Sequence, residues 1–240
     1  MHFIGVHGMV GKGGRDGSEF IDATWKEFQQ NRTTSIEPTK YNLTYNSVHL
    51  SDLSEILGEV IKDPRTLKGT AVAVKGLFDS SNGAGVSEIG LNIAETLQSC
   101  ADTQFVLVGY SQGAWVIDKF LRSTRPQVLN HIAGVALYGD PQWDNGRNGR
   151  GIARQLSRYI STLRLGGDYP GFGDRIQSWC AARDPVCGEG YRPGLLSAGQ
   201  EVGPQLRDAV GCDKPACPHN SYSGVTTKGG EFLGRKVYPK

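Results

Sequence analysis

Gly109-Tyr110-Ser111-Gln112-Gly113 is the stretch whose reading decides the fold of this chain. Before it stands Gln104-Phe105-Val106-Leu107-Val108, apolar and β-favouring; after it Ala114, Ile117, Phe120 and Leu121 recur at three- and four-residue intervals. Strand, G-x-S-x-G and helix in that order are the context of a nucleophile elbow. The turn must be so sharp that the positions two residues from the serine lack side chains, which accounts for Gly109 and Gly113. Such a turn lifts the Ser111 hydroxyl above the sheet edge. It also aims the Gln112 N–H, at a helix N-terminus, toward any oxyanion formed beside it. The plainer reading is an incidental serine in a glycine-rich turn, and the match on both flanks weighs against it.

On the N-terminal side, residues 2–6 read as the first strand, followed by His7-Gly8-Met9-Val10 and a glycine-rich loop. A helix is expected over 18–30, with Phe20, Ile21, Trp25 and Phe28 at helical spacing. Residues 31–46 are polar and read as irregular. Ser51 reads as the N-cap of a helix over 52–62, which Pro64 ends. Thr70-Ala71-Val72-Ala73-Val74 reads as a buried second strand, and 75–85 as a loop carrying Leu77 and Phe78. A helix over 86–99 follows, with Ile89, Ile93 and Leu97 on one face. Beyond the elbow the spacing predicts strands over 132–138 and 175–181, a helix over 151–162, and a short helix near 231–237. Strands alternating with helices imply an α/β protein with a mostly parallel sheet covered on both faces, its ligand at the carboxyl ends of the strands.

A chain of 240 residues can bury one sizeable core, so 1–240 is read as a single domain. With 38% apolar and 21% charged residues, a net charge of +2 and no basic run interleaved with aromatics, nucleic acid is not an expected partner. No apolar run approaches the length of a membrane span, so stable membrane insertion is not expected either. The opening Met1-His2-Phe3-Ile4-Gly5-Val6 has neither a charged n-region nor a long apolar h-region, and no signal peptide is read there. The 5 cysteines point instead to an oxidising, extracellular destination. Cys180 with Cys187 and Cys212 with Cys217 are feasible as tight local bridges, and no C-x-x-C pair or histidine spacing supports zinc. Cys100 is left over and is expected to be a buried free thiol.

A serine hydroxyl is a weak nucleophile and needs a general base held by a third group. Behind an elbow of this kind the order is Ser, acid, His. Of the 5 histidines only His131 and His219 follow Ser111, and only His219 leaves room for an acid on a strand end between them. Asp140 and Asp184 both follow strands. Asp140, in Gly-Asp-Pro, can serve simply to anchor a turn. Asp184 lies in the loop that a Cys180–Cys187 bridge would clamp, and order and clamping together favour it.

Three separated motifs now carry a resemblance: Gly-Tyr-Ser-Gln-Gly-Ala at 109–114, Cys-x-x-x-Asp-Pro-Val-Cys at 180–187 and His-x-x-Tyr at 219–222. Together they resemble the cutinase family of serine esterases, with further likeness around Cys100 and over 231–237. The resemblance implies an α/β-hydrolase fold, a cutinase-like three-layer sandwich around a five-stranded, mostly parallel sheet. It implies a triad of Ser111, Asp184 and His219, with an oxyanion hole from the N–H groups of Gln112 and Met9 and no cofactor or metal. Three departures stand out. Cutinases usually carry a hydroxyl residue where Met9 stands, the usual N-terminal partner of Cys100 is absent, and the segment between Asp184 and His219 is longer than in compact members.

That longer segment, with Leu77 and Phe78 opposite, is expected to wall an acyl site, although Tyr191, Leu195 and Leu196 read equally as ordinary packing. The expected activity is hydrolysis, by a monomer, of esters with an apolar acyl group. The alternatives are a phage-type mycolyl-arabinogalactan esterase, whose opening Val-His-Gly resembles Val6-His7-Gly8, and a non-catalytic envelope- or carbohydrate-binding module on the same fold.

Overall fold

Three apolar runs make the middle of the sheet. In the computed structural model the strands are β1 (His2–Val6), β2 (Thr39–Asn42), β3 (Phe105–Tyr110), β4 (Ile132–Tyr138) and β5 (Ile176–Trp179). The structure describes residues 1–11, 14–62, 67–143, 151–152, 172–188, 205, 208–209, 211–212 and 216–238. All five strands pair in parallel, in the order β2-β1-β3-β4-β5. Every residue of β1, β3 and β4 is buried except the partly buried Ala133. Parallel strands covered on both faces need apolar side chains in both directions, which is why these runs are continuous rather than alternating.

The helices are α1 (Ser18–Gln30), α2 (Leu50–Lys62), α3 (Leu67–Ser99), α4 (Gln112–Ser123), the short α5 (Pro126–Leu129) and α6 (Ser223–Val237). Ile4, Val6, Phe105, Leu107, Val135 and Leu137 share one core with Ile89 and Ile93 of α3 and with Val116, Ile117 and Phe120 of α4. On the opposite face Phe3, Val106, Val108, Ala136 and Tyr138 pack with Phe20, Ile21 and Phe28 of α1 and with Phe232 and Leu233 of α6. β1 lies between β2 and β3, so the connections from its carboxyl end and from that of β3 diverge. A crevice opens at such a switch point, and the segments bearing Met9 and Ser111 begin there.

Several expectations need correction. Residues 70–74 are not a strand: they lie in α3, which also takes in 75–85 and 86–99 as one helix of 33 residues. The run Thr-Ala-Val-Ala-Val has the composition of a strand, but it lies in a helix that packs against α2 and α4. The fifth strand is β2, inside the stretch read as irregular. Its sequence, Thr-Lys-Tyr-Asn, is polar because it forms the sheet edge, where no residue is fully buried. α2 begins at Leu50, so Ser51 lies inside the first turn, and His49 O accepts the Asp52 and Leu53 N–H groups. α6 starts at Ser223, eight residues ahead of 231. Cys100 is free as expected but exposed rather than buried, at the end of α3. The helix over 151–162 beyond Ile152, and Pro64, Tyr191, Leu195 and Leu196, lie outside the described residues.

Leu77 and Phe78 therefore sit on a helix. Phe78 is buried with Val48, Leu53, Val74 and Trp115, its ring 5.0 Å from that of Trp115. Phe78→Ala is expected to lower the unfolding free energy by about 3–5 kcal/mol, measured by chemical denaturation. Rates on esters of every chain length should change together once the protein is folded. A loss confined to long acyl chains would instead make Phe78 part of the substrate site.

Candidate active site

Ser111 stands between β3 and α4 with φ 54 and ψ −119, a conformation a non-glycine residue adopts only when its surroundings impose it. The surroundings are close. A Cβ on Gly113 would lie 2.0 Å from Val6 O, and one on Gly109 would lie 2.8 Å from the backbone of Ala114. The Ser111 N–H donates to Tyr138 O at 2.8 Å, tying the elbow to β4.

His219 and Asp184 arrive from distant elements. Asp184 is in the loop after β5, closed by the Cys180–Cys187 disulfide; His219 is in a 3-10 turn, Pro218–Asn220, just after the Cys212–Cys217 disulfide. The structure brings the three together: His219 Nε2 is 2.8 Å from Ser111 Oγ, and His219 Nδ1 is 2.8 Å from Asp184 Oδ2. With the proton on Nδ1 donated to Asp184, Nε2 is free to accept from the serine hydroxyl. All three are buried, Asp184 at 0% exposure. Burial alone would push the Asp184 carboxyl up. The charge and hydrogen bond of His219, the Tyr222 hydroxyl and the Val186 N–H outweigh it and hold the carboxyl below the usual carboxylate range. Asp140 does something else: its Oδ1 accepts the Gln142 N–H at 2.8 Å and holds a turn.

Around this relay are residues that the sequence reading did not single out. The Tyr110 ring stacks on the His219 imidazole at 5.0 Å, and its hydroxyl donates to His219 O at 2.8 Å. Tyr222, quoted above only as part of a motif, donates to Asp184 Oδ2 at 2.5 Å. Position x in G-x-S-x-G carries no rule for a ring, so only contact in three dimensions reveals Tyr110.

Gln112 and Met9 flank Ser111 from α4 and from the segment after β1. Among the described residues no acceptor takes either backbone N–H, so both remain available to an oxyanion. The Gln112 side chain is committed elsewhere. Its Oε1 accepts the Val48 N–H at 2.9 Å, and its Nε2 donates to Ser81 Oγ and Asn82 Oδ1 at 2.8 and 2.9 Å. Val48 O in turn accepts the Val10 N–H at 3.1 Å, so this amide steadies the segment that carries Met9.

A cavity of about 150 Å³ opens beside Ser111 and His219. Its apolar lining includes Met9, Leu50, Val186 and Ala209; Arg15, Asp16, Glu19 and Asn220 supply polar groups. Leu77 and Phe78 are not among its described lining residues. One trio of metal-ligand type, Cys180, Asp184 and Cys187, comes together among the described residues, but its two sulfurs are bonded to each other. Bonded sulfurs offer no thiolate to a metal.

Comparison with known proteins bears on the family and the fold. The chain is 35% identical to carboxylesterase Culp1 of Mycobacterium tuberculosis over 114 residues, 46% of each chain. It is 32% identical to phospholipase Culp4 of the same organism over 118 residues, 45% of each. The chain thus spans about half the length of the curated relatives it matches. In fold it is similar to a cutinase-like protein from Cryptococcus sp., with TM-score 0.57 and 20% identity over 98% of this chain and 94% of that one. It is also similar to lysin B from mycobacteriophage D29, with TM-score 0.51 and 13% identity over 93% and 96%. The family model described as Cutinase matches residues 32–195, well over half of the sequence, and the chain belongs to the cutinase family.

Proposed function

We propose that this protein is a serine carboxylesterase. The observation that carries the reading is the unbroken path of two 2.8 Å contacts from Ser111 Oγ through the imidazole of His219 to Asp184. In this reaction His219 Nε2 takes the Ser111 proton as Oγ bonds to the ester carbonyl carbon. The carbonyl oxygen becomes an oxyanion facing the Gln112 and Met9 N–H groups. Collapse breaks the carbon–oxygen bond to the alcohol, which leaves with the proton from His219, and Ser111 holds the acyl group. Water, deprotonated by the same imidazole, then releases the acid and restores the serine. Asp184 keeps the imidazole oriented and balances its transient charge. Each oxyanion donor contributes about 10²–10³ in rate. A non-catalytic module would need neither this relay nor two free N–H groups beside it.

The acyl group sits against Leu50, Val186 and Ala209 rather than against Leu77 and Phe78. A cavity of about 150 Å³, lined by Leu50, Val186 and Ala209, suits short to medium acyl chains. A series of p-nitrophenyl esters from acetate to palmitate tests the proposal. Each added methylene should raise kcat/KM by about fourfold until the cavity is full, after which the gain stops. Palmitate as the best substrate would place the acyl site elsewhere, and no turnover of any ester would overturn the function.

One observation favours a second reading, the phage-type esterase acting on a sugar alcohol. Arg15 and Glu19 line the same cavity and make no ion pair among the described residues, leaving donor and acceptor groups for hydroxyls. Two disulfides support an extracellular place of action for either reading.

A further inference from the structure

We infer that Tyr222 is a positioning residue for the proposed hydrolysis: its hydroxyl fixes the Asp184 carboxylate and ties the disulfide loop to the aromatic core. The inference rests on the esterase reading of Ser111, His219 and Asp184.

A tyrosine that is 0% exposed must find partners for its hydroxyl. Here they all belong to one short loop. The hydroxyl donates to Asp184 Oδ2 at 2.5 Å and accepts the Ala181 N–H at 3.0 Å, and Cys187 Sγ lies 3.3 Å away. Asp184 Oδ2 thus receives two donors, the hydroxyl and His219 Nδ1–H. Oδ1 receives the Val186 and Cys187 N–H groups at 2.7 and 3.4 Å. Rotation of the carboxylate would break several of these bonds at once.

The ring end of Tyr222 is held by different elements. Phe20 of α1, Tyr110 of β3 and Tyr138 of β4 surround it, with ring centroids 5.9–6.0 Å away. The Cys180–Cys187 disulfide closes the loop on itself but does not attach it to the sheet. Tyr222 links it to the aromatic core on the sheet, and does so at the carboxylate oxygen that faces the catalytic imidazole. The titratable groups facing this hydroxyl and its acceptor are Asp184, His219 and Tyr110, and Tyr110 in turn lies within the field of Asp16 and Glu19.

A purely structural hydroxyl would lower stability and leave the chemistry of the folded protein alone. Tyr222→Phe separates the two. For the folded variant kcat on a short p-nitrophenyl ester is expected to fall on the order of tenfold to a hundredfold with KM little changed, the loss expected for a hydrogen bond to a charged group. Without the hydroxyl, Oδ2 offers its full charge to the imidazole, so the acid limb of the kcat/KM profile should move to higher pH. Thr24→Val is the control. Thr24 is buried in the neighbouring aromatic layer, where its hydroxyl bonds Phe20 O and the Tyr138 hydroxyl and touches none of the relay. It should lower Tm and leave kcat and the pH profile unchanged.

The double variant Tyr222→Phe/Asp184→Asn gives the decisive comparison. If Tyr222 acts through Asp184, its removal costs little further rate once Asp184→Asn is already in place. Independent, multiplying losses would overturn the inference, as would a Tyr222→Phe enzyme with parental kcat and pH profile. Should the parent protein turn over no ester, the esterase reading fails first. The downfield proton resonance of the His219–Asp184 hydrogen bond then decides Tyr222: a shift on Tyr222→Phe supports the role, and an unmoved signal refutes it.

Discussion

Ser111→Ala is expected to lower kcat on p-nitrophenyl esters by about 10⁵–10⁶-fold, as removal of a nucleophile does when the rest of the machinery is left in place. The fold should survive. The residue keeps its place at φ 54 whichever of the two side chains it bears, and the glycines on either side still allow the close approach of α4 to Val6. What is lost is one hydrogen bond, Oγ to His219 Nε2 at 2.8 Å, so the unfolding free energy should move by about 1 kcal/mol or less. The measurement pairs steady-state kinetics with thermal melts on the same preparation. Turnover above about one part in a hundred of the parent would mean that Ser111 is not the nucleophile.

Asp184→Asn is the second large effect and has two parts. The carboxylate accepts from His219 Nδ1, the Tyr222 hydroxyl and the N–H groups of Val186 and Cys187. An amide has one oxygen for these donors and presents its own N–H₂ to the rest. The imidazole is then driven toward the tautomer with Nε2 protonated, which cannot accept the serine proton, and kcat should fall by about 10⁴-fold. Leaving buried donors unpaired should also lower stability by about 1–3 kcal/mol.

The pH dependence of that stability has a definite sign. The Asp184 carboxyl is held below its usual range, so its contribution is present above the unfolded value of about 3.9 and is lost as pH falls through the lower folded value. The Asp184→Asn variant should lack that component of acid destabilisation. Asp140→Asn is the contrast, since asparagine can keep the acceptor for the Gln142 N–H, and kcat should barely change. An exchange of these results would make Asp140 the acid of the triad.

By itself, the sequence determined the elements whose signal is local. The runs over 3–6, 105–110 and 132–138 are apolar because both faces of the central strands are buried, and α1 repeats its apolar residues at helical spacing. The elbow was legible because a turn that sharp admits only glycine at two fixed positions, and a Cβ on Gly113 would lie 2.0 Å from the backbone of Val6. Order along the chain pointed to His219, and order together with the expected Cys180–Cys187 clamp pointed to Asp184 over Asp140, although His219 lies beyond the residues matched to the family.

Tertiary structure decided what depends on neighbours far away in sequence. Residues 39–42 are a strand because β1 offers them an edge, and no apolar pattern is needed there. Residues 70–74 are helical within α3, where Val74 packs with Leu53 of α2 and Trp115 of α4 while Val72 is 60% exposed, so the run never enters the two-sided burial of a central strand. Tyr222 meets Asp184 across 38 residues and Tyr110 meets His219 across 109. Such contacts leave no period or spacing in the chain, because a hydrogen bond between separate elements depends on where the sheet places their ends.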